Sequence, residues 1–283
     1  MDRNAPTLLA GGYRNEVWRV RAGRGSVVEK RYADDPGEPN SMYPNLPDHE
    51  AMAMSFLAGT GCAPELVSYR AADADAGALV VYRFVPGTPW MSGVADVARL
   101  LHRVHHLEPP VGMRGLHQSA ADAMEHADEL ARGVASRSER ARLESVRPHD
   151  SSSEAAALAS LVHTDCGPGN LVRSRRGLVL IDWQCPGVGD AVEDVACFLS
   201  PAMMSLYGRP AHSTRSTAAF LDAYADPTVV ARYRRDGAAW HYRIAAYCSW
   251  RVCRLERRQP DVAERYRAAL ADELELLAAW GNR

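Results

Sequence analysis

One short stretch of this chain concentrates the residue types that chemistry uses. His163-Thr164-Asp165-Cys166-Gly167-Pro168-Gly169-Asn170 sets a histidine, a carboxylate and an amide in the spacing His-x-Asp-x4-Asn. Asp182 follows twelve residues later, at the end of the apolar run Leu178-Val179-Leu180-Ile181. Phosphoryl transfer uses a set of this kind: one carboxylate accepts or orients the proton of the attacking hydroxyl, while an amide oxygen and a second carboxylate hold Mg²⁺ against nucleotide phosphates. Gly167-Pro168-Gly169 forces a compact turn, so the Asp165 and Asn170 side chains can aim into one small volume. Taken singly, Asp165 and Asn170 are also ordinary turn formers and Asp182 an ordinary strand-end cap, so it is the whole spacing that points to chemistry. His163 reads as a residue that orients the loop by hydrogen bonding, since a general base beside a second base is redundant.

A second signal is compositional. Of 33 Lys plus Arg residues, only Lys30 is a lysine. A chain that uses arginine wherever a generic positive charge suffices raises the question of what a compact ammonium does at that one place.

The elements that must position these groups can be read from periodicity and turn residues. Thr7 to Ala10, Glu16 to Arg21 and Ser26 to Tyr32 read as strands, separated by Gly11-Gly12 and by Gly23-Arg24-Gly25. Residues 34 to 47, rich in Pro, Gly, Asn and acidic side chains, read as a loop. A helix of about three turns follows, with Asp48 offered as its N-cap and Gly59 as its end. Leu66 to Tyr69 and Ala78 to Val85 read as two further strands, and Pro86-Gly87-Thr88-Pro89 breaks the chain after them, which places a boundary between residues 1–86 and 87–283. Beyond it the pattern is mainly helical, over Val94 to Leu107, Ala120 to Val134, Ser213 to Tyr224, Val229 to Arg257 and Asp261 to Trp280. A β interlude at Leu161-Val162, Leu171 to Arg173 and Leu178 to Ile181 carries the His-x-Asp-x4-Asn loop.

Composition excludes several other classes of protein. Hydrophobic residues at 47% and charged residues at 24% fit a globular chain, and a net charge of -2 without a basic run gives no footprint for nucleic acid. No run approaches the ~20 apolar residues of a membrane span, and Met1 to Pro6 holds no apolar signal core, so the expectation is a soluble, cytoplasmic protein with no membrane partner and no obligatory protein partner. The cysteines Cys62, Cys166, Cys185, Cys197, Cys248 and Cys253 show no Cys-x-x-Cys pair and read as reduced, mostly packed thiols.

The segment from His163 to Asn170, with Ile181-Asp182-Trp183, resembles the catalytic loop and metal-binding strand of the aminoglycoside phosphotransferase and choline kinase family. That family shares the protein-kinase-like fold. The resemblance implies an α+β, two-lobed architecture with a small antiparallel-sheet N-terminal lobe that binds nucleotide and a mainly helical C-terminal lobe that binds the acceptor. It extends in order through residues 8 to 200. Gly11, Gly12 and Asn15 fall where the family has its nucleotide loop, Lys30 where it has its phosphate-binding lysine, and Glu50 where that lysine finds its carboxylate partner. A lysine point charge suits that geometry better than a guanidinium fork. Adenine recognition is expected from backbone groups at Arg83, Phe84 and Val85. The implied catalytic residues are Asp165 and His163, the metal ligands Asn170 and Asp182, and the cofactors ATP and Mg²⁺. Thr164, Cys166 and Gly167 depart from the family, which more often has Gly, an apolar residue and His there. Cys166 admits two readings, a redox switch or a small packed thiol, and we take the second. Asp194 could bond the catalytic-loop backbone or simply open a helix.

The acceptor is expected to be a small-molecule alcohol, because the Asp-Phe-Gly and Ala-Pro-Glu landmarks of protein kinases are missing. A choline-like amino alcohol, a vitamin or a sugar would serve. An aminoglycoside or other antibiotic is the alternative, and a non-catalytic nucleotide-binding module a second. Trp240, Tyr247 and Trp250 share one side of a helical wheel with Ile244, a pattern that fits either a core face or an aromatic cage for a quaternary ammonium. From residue 210 onward 12 Arg stand against 9 Asp plus Glu, a poor match for a polycation. Arg251, Arg254, Arg257 and Arg258 could meet an anionic acceptor or simply form a solvated helix face.

Overall fold

A computed structural model describes residues 5–9, 15–23, 25–33, 39–74, 76–149 and 152–280. The chain divides into two compact units. The first takes Met1–Trp90 together with Pro110–Arg114 and Asn170–Gly187, and the second takes Met91–Pro109, Gly115–Gly169 and Val188–Arg283.

The first unit is built on the strands β1 (Thr7–Leu8), β2 (Asn15–Ala22), β3 (Gly25–Tyr32), β4 (Leu66–Arg70) and β5 (Leu79–Arg83), with the helix α1 (Pro47–Phe56) between β3 and β4. They form one antiparallel sheet in the order β1-β2-β3-β5-β4. The register of β2 on β3 runs from Asn15↔Tyr32 to Ala22↔Gly25, and Gly23 at φ 59° supplies the left-handed residue that this tight turn requires. Along β3 the alternate residues Val28, Lys30 and Tyr32 are buried, so the two-residue period of the strand carries the lysine inward.

Helix α1 does not begin on an Asp48 cap. Leu46 is its N-cap residue, without a side-chain bond, and Pro47 takes the first helical position, where a missing N–H costs nothing. Asp48 and Glu50 then lie in the first turn, and Glu50 is buried together with Ala51, Ala53 and Met54. Gly87–Pro89 is likewise more than a break in the chain. It forms a strand, β6, paired with β8 (Leu171–Ser174), and a Cβ at Gly87 would lie 2.4 Å from the Arg173 carbonyl oxygen. Strand β8 pairs in turn with β9 (Gly177–Leu180) from Leu171↔Leu180 to Ser174↔Gly177.

The second unit is mainly helical, with α2 (Val94–His105), α3 (Ala120–Arg132), α4 (Arg137–Glu144), α5 (Val192–Leu199), α6 (Pro201–Leu206), α7 (Thr214–Tyr224), α8 (Pro227–Leu255) and α9 (Pro260–Trp280). A strand pair, β7 (Ser160–Val162) and β10 (Gly187–Gly189), accompanies them. Helix α3 starts on a capping box in which Ser119 and Asp122 satisfy each other's backbone N–H groups. Asp226 caps α8 by accepting the N–H groups of Thr228 and Val229. The long α8 packs against α3, α5 and α9 and is buried almost all round in its middle, as expected of a central helix. Trp240, Ile244, Tyr247 and Trp250 are all buried there, with Tyr247 stacked on Trp250 at 5.9 Å between ring centroids. The aromatic stripe is core and not a cage. Arg254 lies over the Trp250 ring and Arg251 over Tyr266. Among the described residues no helix is long and apolar enough to cross a membrane.

Candidate active site

In the first unit the inward face of β3 makes Lys30 a buried cation, 2% exposed, which is costly unless the charge is paired. The pairing is complete. The Lys30 Nζ donates to Glu50, lying 3.1 Å from Oε1 and 3.0 Å from Oε2, and also donates to Asp182 Oδ1. Burial alone would lower the lysine's pKa, but the carboxylates of Asp182 and Glu50 outweigh it and hold the ammonium well above its usual range. Glu50 also accepts the hydroxyl of Tyr32, which shares its strand face with Lys30. Burial raises the Glu50 carboxyl, and Lys30 opposes that shift.

Asp182 and Asn170 are set by the β8–β9 hairpin. Asn170 precedes the first residue of β8, Ile181 follows the last residue of β9, and the Ile181 N–H donates to the Asn170 carbonyl at 2.8 Å. The ladder therefore ends on these residues, with Asp182 one step beyond at φ 64°, a left-handed conformation uncommon for a residue with a side chain. The Asp182 side chain is 37% exposed. An amide oxygen and a carboxylate are the hard donors that Mg²⁺ takes when nucleotide phosphates complete its shell, so the residues present fit that ion. Among the described residues no cluster of three or more His, Cys, Asp or Glu forms a self-sufficient metal cage.

Asn15 is committed elsewhere. Its Nδ2 donates to Asn45 Oδ1 at 2.8 Å and to Gln184 Oε1 at 3.2 Å, while its Oδ1 accepts from Asn45 Nδ2 at 2.8 Å. Gly11 and Gly12 lie outside the described residues. At the end of β5 the Arg83 and Phe84 N–H groups donate to the carbonyls of Glu65 at 2.8 Å and Ser26 at 3.0 Å. Arg19 covers the Phe84 ring at 4.0 Å, and Val85 is half-buried.

The second unit holds the loop that bears Asp165. Asp194, in the first turn of α5 and fully buried, accepts the backbone N–H of His163 at 2.9 Å and of Thr164 at 2.8 Å. It thus both opens a helix and braces the loop. Thr164 has φ 70°, and a β-branched residue in that conformation persists only where its surroundings over-determine it. Asp194 also accepts from His105 Nε2 at 3.0 Å. The other ring nitrogen of His105, Nδ1, lies 2.6 Å from the Tyr224 hydroxyl. His163 is buried, and its Nδ1 accepts the Asp165 N–H at 3.2 Å. Cys166 is buried as well, donates its thiol to the Asp194 carbonyl, and has its pKa pushed up by burial, which is the environment of an inert packed thiol. The Tyr207 ring lies against Gly167 and Gly169, where added Cβ atoms would come within 2.8 and 2.1 Å of it.

Several of these groups carry no sequence signature of their own. Tyr32 could have been found from its place two residues beyond Lys30 on one strand face, whereas His105, Tyr224, Tyr207, Asn45 and Gln184 emerge only from the fold.

Comparison with known proteins bears on this arrangement. The sequence pattern of the phosphotransferase enzyme family matches residues 6–235. Among solved structures, the chain is similar to a choline/ethanolamine kinase family protein from Mesorhizobium loti at 17% identity, covering 98% of this chain and 88% of that one with a TM-score of 0.63. It is similar to an ethanolamine kinase from Plasmodium vivax at 12% identity, covering 98% and 83% with a TM-score of 0.62. It is similar to a spectinomycin phosphotransferase, solved in complex with ADP and spectinomycin, at 11% identity, covering 95% and 92% with a TM-score of 0.58. These likenesses establish the kinase-like fold. No curated protein matches the chain. With the family pattern running through both the lysine strand and the Asp165 loop, the chain belongs to the phosphotransferase enzyme family, whose members use a hydroxyl group as acceptor.

Proposed function

We propose that this protein transfers the γ-phosphoryl group of ATP to a hydroxyl of a small molecule such as an amino alcohol, a vitamin or a sugar. The observation that carries the reading is the sole lysine of the chain, buried on β3 and gripped by both oxygens of Glu50 while bonded to Asp182. Any buried ammonium needs pairing, but pairing to a glutamate of the following helix and to an aspartate beside Asn170 is the arrangement that phosphoryl transfer uses.

In this reading Lys30 contacts the nucleotide phosphates and Glu50 keeps it oriented. Asn170 and Asp182 would hold Mg²⁺, which supplies charge neutralisation on the phosphate oxygens. The Asp165 carboxylate receives the proton as the acceptor O–H bond breaks. The acceptor oxygen bonds the γ-phosphorus, the bond to the bridging oxygen breaks, and ADP leaves with that electron pair. His163 and Asp194 act through the loop backbone and touch no reacting atom. The adenine would meet the strand end at Val85, since the neighbouring N–H groups of Arg83 and Phe84 are already bonded.

The test is Mg²⁺-dependent ADP release from ATP across choline, ethanolamine, homoserine, thiamine, amino sugars and aminoglycosides, run beside Asp165→Asn. A general base contributes about 10²–10⁴-fold, so a hit should fall at least that far in the variant while ATP affinity stays nearly unchanged. Full turnover in Asp165→Asn would refute the role of the base. A hit confined to the aminoglycosides would move the acceptor to that class, and ATP binding with no turnover of any alcohol would leave a non-catalytic module.

A further inference from the structure

Three segments supply the charges of the first unit's site, and each also supplies an amide. Lys30 sits on the β2–β3 hairpin, Glu50 in the first turn of α1, and Asp182 just after β9. Asn15 lies on the same hairpin, directly across from Tyr32, the residue whose hydroxyl bonds Glu50. Asn45 stands on the approach to α1, and Gln184 follows Asp182 by two residues. These three amides are bonded to one another: Asn15 and Asn45 reciprocally at 2.8 Å, and Asn15 to Gln184 at 3.2 Å.

Further bonds hold the same segment. The Leu46 N–H donates to the Gln184 carbonyl at 2.9 Å, and the Arg114 guanidinium donates to the carbonyls of Cys185 at 2.7 Å and Pro186 at 2.9 Å. The stretch from Gln184 to Pro186 is therefore clamped along its length. Immediately upstream, Asp182 holds a left-handed backbone conformation, φ 64°, that is uncommon for a residue with a side chain and is held by its surroundings.

We propose that Asn15, Asn45 and Gln184 are positioning residues: an amide triad, with Asn15 buried and Asn45 and Gln184 half-buried, that sets the register of Asp182 against Lys30 and Glu50 and thereby tunes affinity for the Mg²⁺-loaded nucleotide. Asn15 thus acts by holding Gln184 and is no ligand of the phosphates. The inference rests on the nucleotide-binding reading given above. It adds residues whose loss should be felt through the metal, because Asp182 is the group they place.

The experiment is calorimetric titration of the full chain with a non-hydrolysable ATP analogue, once with Mg²⁺ and once with EDTA, for the wild type, Gln184→Met and Asn15→Leu. Each variant deletes an amide at near-constant size, and Asn45→Ala, which removes both of its bonds to Asn15 without adding charge, serves if either fails to fold. The expected result is about a tenfold loss of affinity with Mg²⁺, the size of one or two hydrogen bonds, and less than a twofold change without it. Equal losses in both conditions would reduce the triad to a part of the general scaffold, and unchanged affinity in both would remove its role altogether. A wild type that binds the analogue in neither condition would overturn the nucleotide reading as well, so the two failures are told apart.

Discussion

Asp194→Asn is the substitution that most directly tests how the Asp165 loop is held. In the native protein one Asp194 oxygen accepts the Thr164 N–H at 2.8 Å and the other accepts His163 N–H at 2.9 Å and His105 Nε2 at 3.0 Å. An asparagine keeps a single oxygen. If it faces His163 and His105, its NH₂ confronts the Thr164 N–H; if it faces Thr164, its NH₂ confronts the His163 N–H. Either way a charge-assisted bond of about 1.5–3 kcal/mol is lost and a buried N–H is left unsatisfied at about 1–3 kcal/mol. The sum, about 2.5–6 kcal/mol, is a large part of a typical domain stability of about 5–15 kcal/mol. The first orientation also removes the bond that holds Thr164 at φ 70°, one residue before Asp165, and the second frees His163, two residues before it. A displacement of about 1 Å there would cost about 10²-fold in turnover. Urea unfolding with ADP-release kinetics measures both quantities. A stability loss under about 1 kcal/mol with unchanged kcat would show that the loop holds its shape without the carboxylate, and the reasoning would be wrong.

Other outcomes follow from the same geometry. Gly169→Ala places a methyl 2.1 Å from a Tyr207 ring carbon, so kcat should fall about tenfold or more by the overpacking cost, and the double variant with Tyr207→Ala should recover it; an unrecovered double variant would clear Tyr207 of the clash. Burial would raise the Glu193 carboxyl, but Arg243 and His117 outweigh it and hold it at about 2 against an ordinary 4.5. Because that folded-state pKa is depressed, the contribution of about 3 kcal/mol is complete above pH 4.5 and is lost as pH falls toward 2. The stability gap between the wild type and Glu193→Gln should therefore close over that window, and a gap that stays flat down to pH 3 would contradict the pairing. Trp240, 1% exposed, should cost about 3–5 kcal/mol as Trp240→Ala, while the milder Trp240→Phe leaves the acceptor profile of the panel unchanged; an altered profile would return the stripe to the acceptor site.

Where a candidate group and its neighbours fall within one short stretch, local spacing is enough to single it out. The Asp165 loop and the strand leading to Asp182 could be proposed because twelve residues of spacing and one apolar run carry them, and Lys30 because it is the single lysine of the chain and falls where the resembled family has its phosphate-binding lysine. The partners that fix these groups join residues far apart, as His105 joins Asp194 and Asn15 joins Gln184, and no local pattern encodes such bonds. Short elements were missed for a related reason. Strand β10, helices α4, α5 and α6, and the pairing of Gly87–Pro89 are too brief to show a period, and their form is set by the surfaces they meet. The start of α1 went astray because Asp48 has the chemistry of a cap while Pro47 before it has the backbone of a first helical residue. The stripe on α8 had the right period but two meanings, and only burial separated them.

The single lysine has a practical consequence for chemical labelling. Acylating reagents attack neutral, accessible amines, and Lys30 is neither, being 2% exposed with its ammonium stabilised by Glu50 and Asp182. The folded protein therefore offers such a reagent no reactive side-chain amine. Any mass increment at Lys30 reports an opening of β3 away from its two carboxylates, so the rate of that increment, followed with and without nucleotide, becomes a one-residue clock for the breathing of the site.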